Sequence, residues 1–472
     1  MSCRTAAITC RSSLLATITF STRYDCLVAR GLWEVDMKHV VIVGSGLAGL
    51  SAGYRLHEQG CHVTVFETLG RVGGRVLSEF EDGFLFDVGP TIVTDNYTEY
   101  MELVREVGLS DKLIDCPPQL AVVKGSDLHI LDTRKPLRSF LTTKLLPSAA
   151  KLQLIARGVR LIKPLSGMNP YDLSNRVHYD TESIEAYIDR IFGRELNDLI
   201  IDGVTRSMVS SSPGEASVVG FLAGAVTASG KMQTLEGGLQ ILPSMLAEKL
   251  DVRLSSPVTQ VLNTDNGVEV HYRNEAGIAA CEHADACVIA TPLRTAIDIY
   301  EPLKALGTEV LSKSMDSGCC SLQLRYSRRT EKEPFLVMVP KAASVEISSL
   351  FLEHVKAPDR APAGTSLITA FFPEQLAIDS MNWSEDRLTT TARELIERLF
   401  PELRNHYLGA RLKRWQYAAN QADVGYYKAL QKFLDNYPVD APVQMAGDYM
   451  ALPSQESAVV AGRRAATRVL AA

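Results

Sequence analysis

The chain has 472 residues, 46% of them hydrophobic and 22% charged, which is the composition of a folded globular protein and too long for one ordinary core, so two or more domains are expected. A formal net charge of −6 leaves no excess of cations to neutralise phosphate and argues against a general nucleic-acid binder. No apolar run is long enough to span a bilayer, and the nine cysteines show no CxxC and no metal spacing with histidine, so they read as reduced thiols and no metal is expected.

Residues 1–36 differ from the rest of the chain. They carry Arg4, Arg11, Arg23 and Arg30, many Ser and Thr, and no acid before Asp25. An organelle transit peptide and a non-native or upstream start both fit this segment, and both place it outside the fold. The run HVVIV (39–43) is β-branched almost throughout, as a buried parallel strand requires. GSGLAG (44–49) follows at once. LAGLSAGYRLHEQG (47–60) then spaces its apolar residues as a helix does, with Gly60 as C-cap. CHVTVFE (61–67) is a second strand ending in Glu67. This is a βαβ unit with GxGxxG in its first turn and an acid roughly 20 residues on, the pattern of dinucleotide binding. Gly44 makes the tight turn, Gly46 lets the backbone approach a pyrophosphate, and Gly49 lets the helix pack on the strand, with Ser45, Leu47 and Ala48 completing the loop. The helix N-terminus offers its N–H groups to the pyrophosphate, and Glu67 can accept the ribose hydroxyls. A tight turn without a ligand is the other reading of these glycines.

LGRVGGRV (69–76) sets Gly73 and Gly74 between Arg71 and Arg75, a second close approach whose arginines can face phosphates. DGFLFDVGPT (82–91) follows, with Gly89, Pro90 and Thr91 at its end. Together these stretches resemble the FAD-dependent superfamily of amine oxidases, protoporphyrinogen oxidases and phytoene-type carotenoid desaturases. The resemblance implies FAD as cofactor. It extends to QMAGDYMALPSQESAVVAGRRAATRVL (444–470), similar to that superfamily's C-terminal flavin motif. By resemblance, Gly447 and Asp448 would meet the ribityl–phosphate region, and the backbone at Gln455, Glu456 and Ala458 would face the flavin ring, whose reduced charge a helix N-terminus stabilises. LEGGLQILPSMLAEKL (235–250) leads into a strand pair in which the backbone of Val258 would hold the adenine. ADACVIATPLRTAIDI (284–299) would close the cofactor domain. SIEAYIDRIFGRELNDLIIDGV (183–204) and RWQYAANQADVGYYKAL (414–430) are most similar to the porphyrinogen-oxidase branch, which places Trp415 near the flavin.

The expected fold is a Rossmann-like α/β FAD-binding domain of glutathione-reductase type, with a parallel sheet, and an inserted α+β substrate domain. The cofactor domain takes 38–115, 232–300 and 405–472; the substrate domain takes 116–231 and 301–404. Several positions depart from the relatives. The lysine of the amine-oxidase branch is matched by Cys320, with Lys313 able to fill the gap. The glycines of the porphyrinogen branch become serines in RSMVSSSPGEAS (206–217), and Ser457 replaces a glycine near the ring. Cys319 and Cys320 read as small core residues, with a redox pair the alternative. KLQLIARGVRLIKPLSG (151–167) is basic and amphipathic, either a core-facing helix or a membrane-surface one. His178, His271, His283, His354 and His406 read as surface or structural residues.

The resemblance implies an FAD-dependent oxidase or dehydrogenase that oxidises a hydrophobic ring-containing amine or pyrrole-type biosynthetic intermediate by hydride transfer to flavin N5, without an assignable catalytic side chain. The acceptor is O2 or a quinone. A membrane-associated carotenoid-type desaturase or isomerase and a non-catalytic flavin-binding subunit are the alternatives. The expected location is cytoplasmic, with peripheral membrane contact, or organellar if residues 1–36 are a transit peptide.

Overall fold

The structure is a computed structural model that describes residues 37–209, 212–373 and 379–472. The expectations for residues 1–36, and Ser210 and Ser211 of the serine loop, fall outside the described residues. Lys38–Ala472 is a compact unit.

In chain order, β1 (His39–Val43), α1 (Leu47–Glu58) and β2 (His62–Phe66) form the first βαβ unit. A hairpin of β3 (Ser78–Glu81) and β4 (Phe84–Asp87) follows, then β5 (Val93–Thr94), α2 (Thr98–Glu106) and β6 (Leu113–Asp115). A second hairpin, β7 (Gln119–Lys124) and β8 (Asp127–Asp132), precedes α3 (Pro136–Thr142) and α4 (Ser148–Leu165). After further helices come β9 (Met232–Leu235), β10 (Asp251–Arg253), β11 (Val258–Thr264), β12 (Gly267–Arg273), β13 (Ala279–Ala284) and β14 (Ala286–Ile289). The rest holds β15 (Ser314–Tyr326), β16 (Leu336–Met338), β17 (Ser349–Leu352), α5 (Glu353–Lys356), β18 (Ser366–Pro373), β19 (Tyr407–Ala422), α6 (Tyr426–Asn436), β20 (Val443–Met445) and α7 (Gln455–Ala471).

The expected parallel sheet is present, in the order β10-β2-β1-β14-β20. β1 sits in the middle, with Val40 opposite Val63 on one side and Ala286 on the other. Val40, Val41 and Ile42 are fully buried, which is why this strand is a continuous β-branched run. One face of the sheet is covered by α1 and α7 through Ala48, Ala52, Ala461, Ala465 and Ala466. Small residues let these helices touch. A Cβ on Gly462 would lie 2.2 Å from both Ala48 O and Ser51 Oγ.

A second, seven-stranded sheet runs β19-β15-β18-β17-β16-β7-β8 and is antiparallel except where β16 meets β7. Its first strand, β19, comes from the piece 405–472 that sequence placed in the cofactor domain. It pairs with β15 from Ala422 opposite Ser314 to Tyr407 opposite Tyr326, with register shifts between Ser317 and Cys319 and between Arg325 and Tyr326. Cys319 and Cys320 lie buried on β15, and burial raises the pKa of Cys319. The third layer is the antiparallel sheet β11-β12-β13.

Candidate functional site

The turn after β1 is held by its backbone. Gly44 has φ +101° and donates its N–H to Phe66 O at 2.8 Å, while a Cβ there would stand 3.0 Å from Ala290 O. Gly49 carries the helix onto the loop, since a Cβ would fall 1.9 Å from Gly44 O. Gly46 differs. It is the N-cap of α1 with φ −68°, and a Cβ would meet nothing within 4 Å. No side chain caps this helix, and its first turn holds no acid. The N-terminus of α1 therefore carries no side-chain cap beside an open Cβ position at Gly46, as an anion-binding helix start requires.

Glu67, buried at the end of β2, accepts from Ser45 N at 2.8 Å, from Ser45 Oγ at 2.6 Å and from Leu69 N at 2.8 Å. Three of its roughly four lone-pair directions are thus in use, so a ribose could gain both hydroxyl bonds only by displacing the Ser45 hydroxyl. The segment before β11 lies alongside, with Ser256 N bonded to Glu67 O at 2.8 Å and Ser255 N to Leu69 O at 3.0 Å. This brings Val258, half-buried at the head of β11, to the same end of the sheet.

The double-glycine loop folds back over the first. Gly73 N donates to Ser45 O at 2.9 Å, and Gly46 and Gly73 form a parallel bridge. Arg71 donates to Val72 O and Gly74 O of its own loop, and burial lowers its pKa against the opposing pull of Glu67 and Glu79. Arg75 pairs with Asp448 at 2.7 Å, joining the two ends of the candidate site. Arg75 also reaches Ala418 O at 3.3 Å. Gly89 lets its strand pass close, because a Cβ would lie 2.0 Å from Arg75 O. Trp415 bonds Val88 O through Nε1 at 2.7 Å, so it does lie beside the Gly89–Thr91 turn. A cleft opens next to the Arg75–Asp448 pair, lined by Pro292, Leu293, Leu311, Tyr417, Tyr426 and Tyr449.

At the C-terminal helix, Ser454 caps α7 by accepting from Ser457 N. A tight turn at Gly447 precedes it, where a Cβ would collide with the Tyr449 ring. Gln455 donates Nε2 to Ile92 O at 3.0 Å, while its Oε1 is buried without a partner. Such an orphan acceptor at the head of the helix fits a site that awaits a donor. The side chain of Glu456 is engaged elsewhere. It accepts from Glu99 N at 2.9 Å and Tyr100 N at 2.7 Å and so holds the N-terminus of α2, and burial raises its pKa. Only its backbone is left for the role expected of it. Ala458 is half-buried in the first turn of α7. The Ser457 hydroxyl bonds Leu452 O and Ser454 Oγ inside the turn.

Cys320 lies within β15, and Lys313 just before that strand, next to Ser314 of the cleft. Cys320 is enclosed by Ser380 O, Met381 and Arg414, and Lys313 is exposed beside Gly425. Lys356, which no sequence pattern had marked, is buried beside the Gly89–Thr91 turn. Its Nζ lies 3.0 Å from Asp87 Oδ2, 3.0 Å from Thr91 O and 2.5 Å from Glu353 Oε2, all without solvent exposure. Arg360 adds a contact of 3.1 Å to Asp87. Burial alone would raise Asp87, but Lys356, Arg360 and the Ser78 hydroxyl outweigh it and hold the carboxyl below its ordinary pKa. Burial wins at Glu353 and raises it despite the same cations. The cluster clamps β4, α5 and the turn at Thr91 together. The only sequence hint is the i, i+3 pair Glu353–Lys356, and nothing in sequence marks a pair as buried.

Residues 47–470 match the family model described as flavin containing amine oxidoreductase. Protoporphyrinogen oxidase 2, chloroplastic/mitochondrial, of Arabidopsis thaliana is 23% identical over 496 residues, covering 92% of this chain and 94% of its own. L-amino acid oxidase bordonein-L of Crotalus durissus terrificus is 27% identical over 290 residues, 56% of this chain and 55% of its own. Among solved structures, cyclohexylamine oxidase from Brevibacterium oxydans IH-35A superposes with a TM-score of 0.74 at 16% identity, over 92% of this chain and 98% of that one.

Proposed function

Because the chain belongs to the flavin containing amine oxidoreductase family, and so is an FAD-dependent oxidoreductase, we propose that it oxidises a hydrophobic, ring-containing amine or pyrrole-type biosynthetic intermediate, with O2 or a quinone as acceptor. The observation that carries this reading is the cleft at the Arg75–Asp448 pair. Leu293, Leu311, Pro292 and three tyrosines share its walls with Ser314, Asn420 and the mutually neutralising Arg75 and Asp448, and it encloses a volume of only about 20 Å³. Apolar side chains and tyrosine rings beside a neutralised ion pair suit a ring-containing substrate, which enters only as the cleft widens.

FAD, when bound, supplies a two-electron acceptor. The chain's own groups hold it. The open space at Gly46 and the α1 N-terminus take the pyrophosphate, Glu67 and Ser45 the ribose, the Val258 backbone the adenine, and Gln455 Oε1 stands ready for a donor on the ring. Lys356 positions the turn Gly89–Pro90–Thr91 against it. The cofactor domain takes 38–115, 232–300 and the chain from about 423, and the substrate domain 116–231 and 301–404 with β19. The parallel sheet, made wholly from the first set of pieces, supports this division.

Anaerobic mixing tests the substrate class. A cyclic porphyrinogen or a ring-containing amine should bleach the oxidised flavin band within seconds, while a linear polyene should not. Bleaching by the polyene alone would move the assignment to a desaturase, and no bleaching by any of the three would leave a flavin-binding subunit.

The surface of α3 and α4 supports contact with a membrane. Leu137, Leu141, Leu152, Ile155 and Val159 are exposed there, each by more than 60%. Between Thr133 and Ser166 the chain holds eight cations and no acid, in a protein of net charge −6. An apolar row among lysines and arginines suits an anionic bilayer surface. No described helix is long and apolar enough to cross a membrane. The proposed location is the cytoplasmic face of a membrane, or an organelle's if residues 1–36 direct it there.

A further inference from the structure

The outer face of the β12–β13 hairpin gathers four metal-ligating side chains. Glu269 and His271 alternate along β12 and so share a face, and Cys281 and His283 do the same on β13. The antiparallel register puts Glu269 opposite His283 and His271 opposite Cys281. The four form a rectangle, with the buried Val268 and Val270 on the reverse side. Ligand atoms of Glu269, His271 and Cys281 all lie within 4.8 Å of one another. His283 Nδ1 stands 3.7 Å from Glu269 Oε1.

Two further observations separate this group from an ordinary surface ion pair. His271 Nε2 is shielded from water and makes no hydrogen bond, although Glu269 Oε2 is 3.5 Å away. A shielded imidazole nitrogen without a hydrogen bond, on a ring clustered with a carboxylate and a thiol, is arranged as a ligand is. Second, Cys281 is the one exposed cysteine among the described residues, and it sits directly across from that imidazole. The sequence shows no such site because its ligands come from two strands and pair only through the register.

We propose that Glu269, His271, Cys281 and His283 form a binding site for a zinc-like divalent cation on the β11-β12-β13 sheet. Two imidazoles, a thiolate and a carboxylate match the borderline softness and four-coordination of Zn2+ better than the all-oxygen shell of Ca2+ or Mg2+. Short side-chain rotations draw the ligands from their present spacing to bonding distance, and Cys281 releases its proton as the cation enters. The cation would staple β12 to β13 just before β14 joins the parallel sheet, and the neighbouring groove lined by Asp265, Asp285 and His283 gives it a route in.

The test uses the FAD-loaded protein after chelator treatment, titrated with ZnCl2 by calorimetry. One saturable site per chain is expected, with affinity falling at least tenfold in Cys281→Ser and in His271→Ala, both of which should keep their flavin. In parallel, alkylation of Cys281 by iodoacetamide, read on its tryptic peptide, should slow sharply at saturating zinc. No saturable binding, equal binding by both variants, or unchanged alkylation of Cys281 with zinc bound would each overturn the site. Since neither readout depends on turnover, the outcome is independent of the substrate assignment.

Discussion

Two glycines three residues apart answer to different constraints. Gly49 is demanded by the polypeptide itself, because its Cβ would overlap Gly44 O. Gly46 is not, because its φ of −68° suits any residue and the space before it is open. Gly46→Val should therefore fold with an unchanged melting temperature yet purify with little FAD, whereas Gly49→Ala should lose soluble protein. Full flavin content in Gly46→Val would remove the phosphate cradle from this loop. A pH effect belongs to the same scale. Burial lowers His354 from 6.5 to about 4, and its neutral ring bridges Thr330 Oγ1 at 3.0 Å and Leu367 O at 3.1 Å. The unfolded chain binds this proton below about pH 6.5 and the folded one only near pH 4, so the contribution is complete above 6.5 and is lost as pH falls towards 4. The shift corresponds to on the order of 3 kcal/mol. Urea midpoints at pH 7 and pH 5 should differ clearly in the native protein and much less in His354→Gln. An equal difference in both would place the acid sensitivity elsewhere.

At the scale of elements, the crossing of α1 and α7 sets how the two flavin motifs meet. Gly462 lies against Ala48 O and Ser51 Oγ, and Ser51 in turn donates to Val459 O at 3.3 Å. Gly462→Ala would push the helices apart. Overpacking of this kind costs roughly 1–3 kcal/mol, and the melting temperature should fall by a few degrees along with flavin retention. Unchanged melting would mean the helices slide freely. The α3–α4 surface makes a second case. Replacing Leu152, Ile155 and Val159 together by Ser removes apolar area without touching the basic residues. Co-sedimentation with anionic vesicles should drop severalfold while flavin content stays constant, and sedimentation equal to the native protein would mean the face does not enter lipid. These elements also show what the sequence carries and what it hides. β1, α1, β2 and α7 were legible because periodicity, glycine spacing and caps are local signals. The engagement of Glu456 with α2, the Asp87–Glu353–Lys356–Arg360 cluster and the pairing of β19 with β15 were not, because each joins residues far apart in the chain by contacts that leave no periodic trace.

For the molecule as a whole, the electron source is the main consequence of its organisation. The sequence holds one strand–GxGxxG–helix unit, and every feature around it suits a single dinucleotide held along its length. Millimolar NADPH without oxygen should leave the flavin oxidised for many minutes. Rapid bleaching by NADPH would instead define a reductase. The domain pattern came from resemblance and not from composition because in the proposed division neither domain is continuous, so no linker or change in charge marks its edges.

The sheet order has a consequence for biosynthesis. β20 is an edge strand laid beside β14, and Asp448 must travel back across 373 positions of chain to reach Arg75. A nascent polypeptide can form the first βαβ unit early, but it cannot finish the parallel sheet or close the ion pair until β20 and Asp448 have left the ribosome. The growing chain would then carry a half-built flavin cradle through most of translation, with the apolar face that α7 later covers open to solvent. Completion of the flavin cradle would wait until β20 and α7 have emerged.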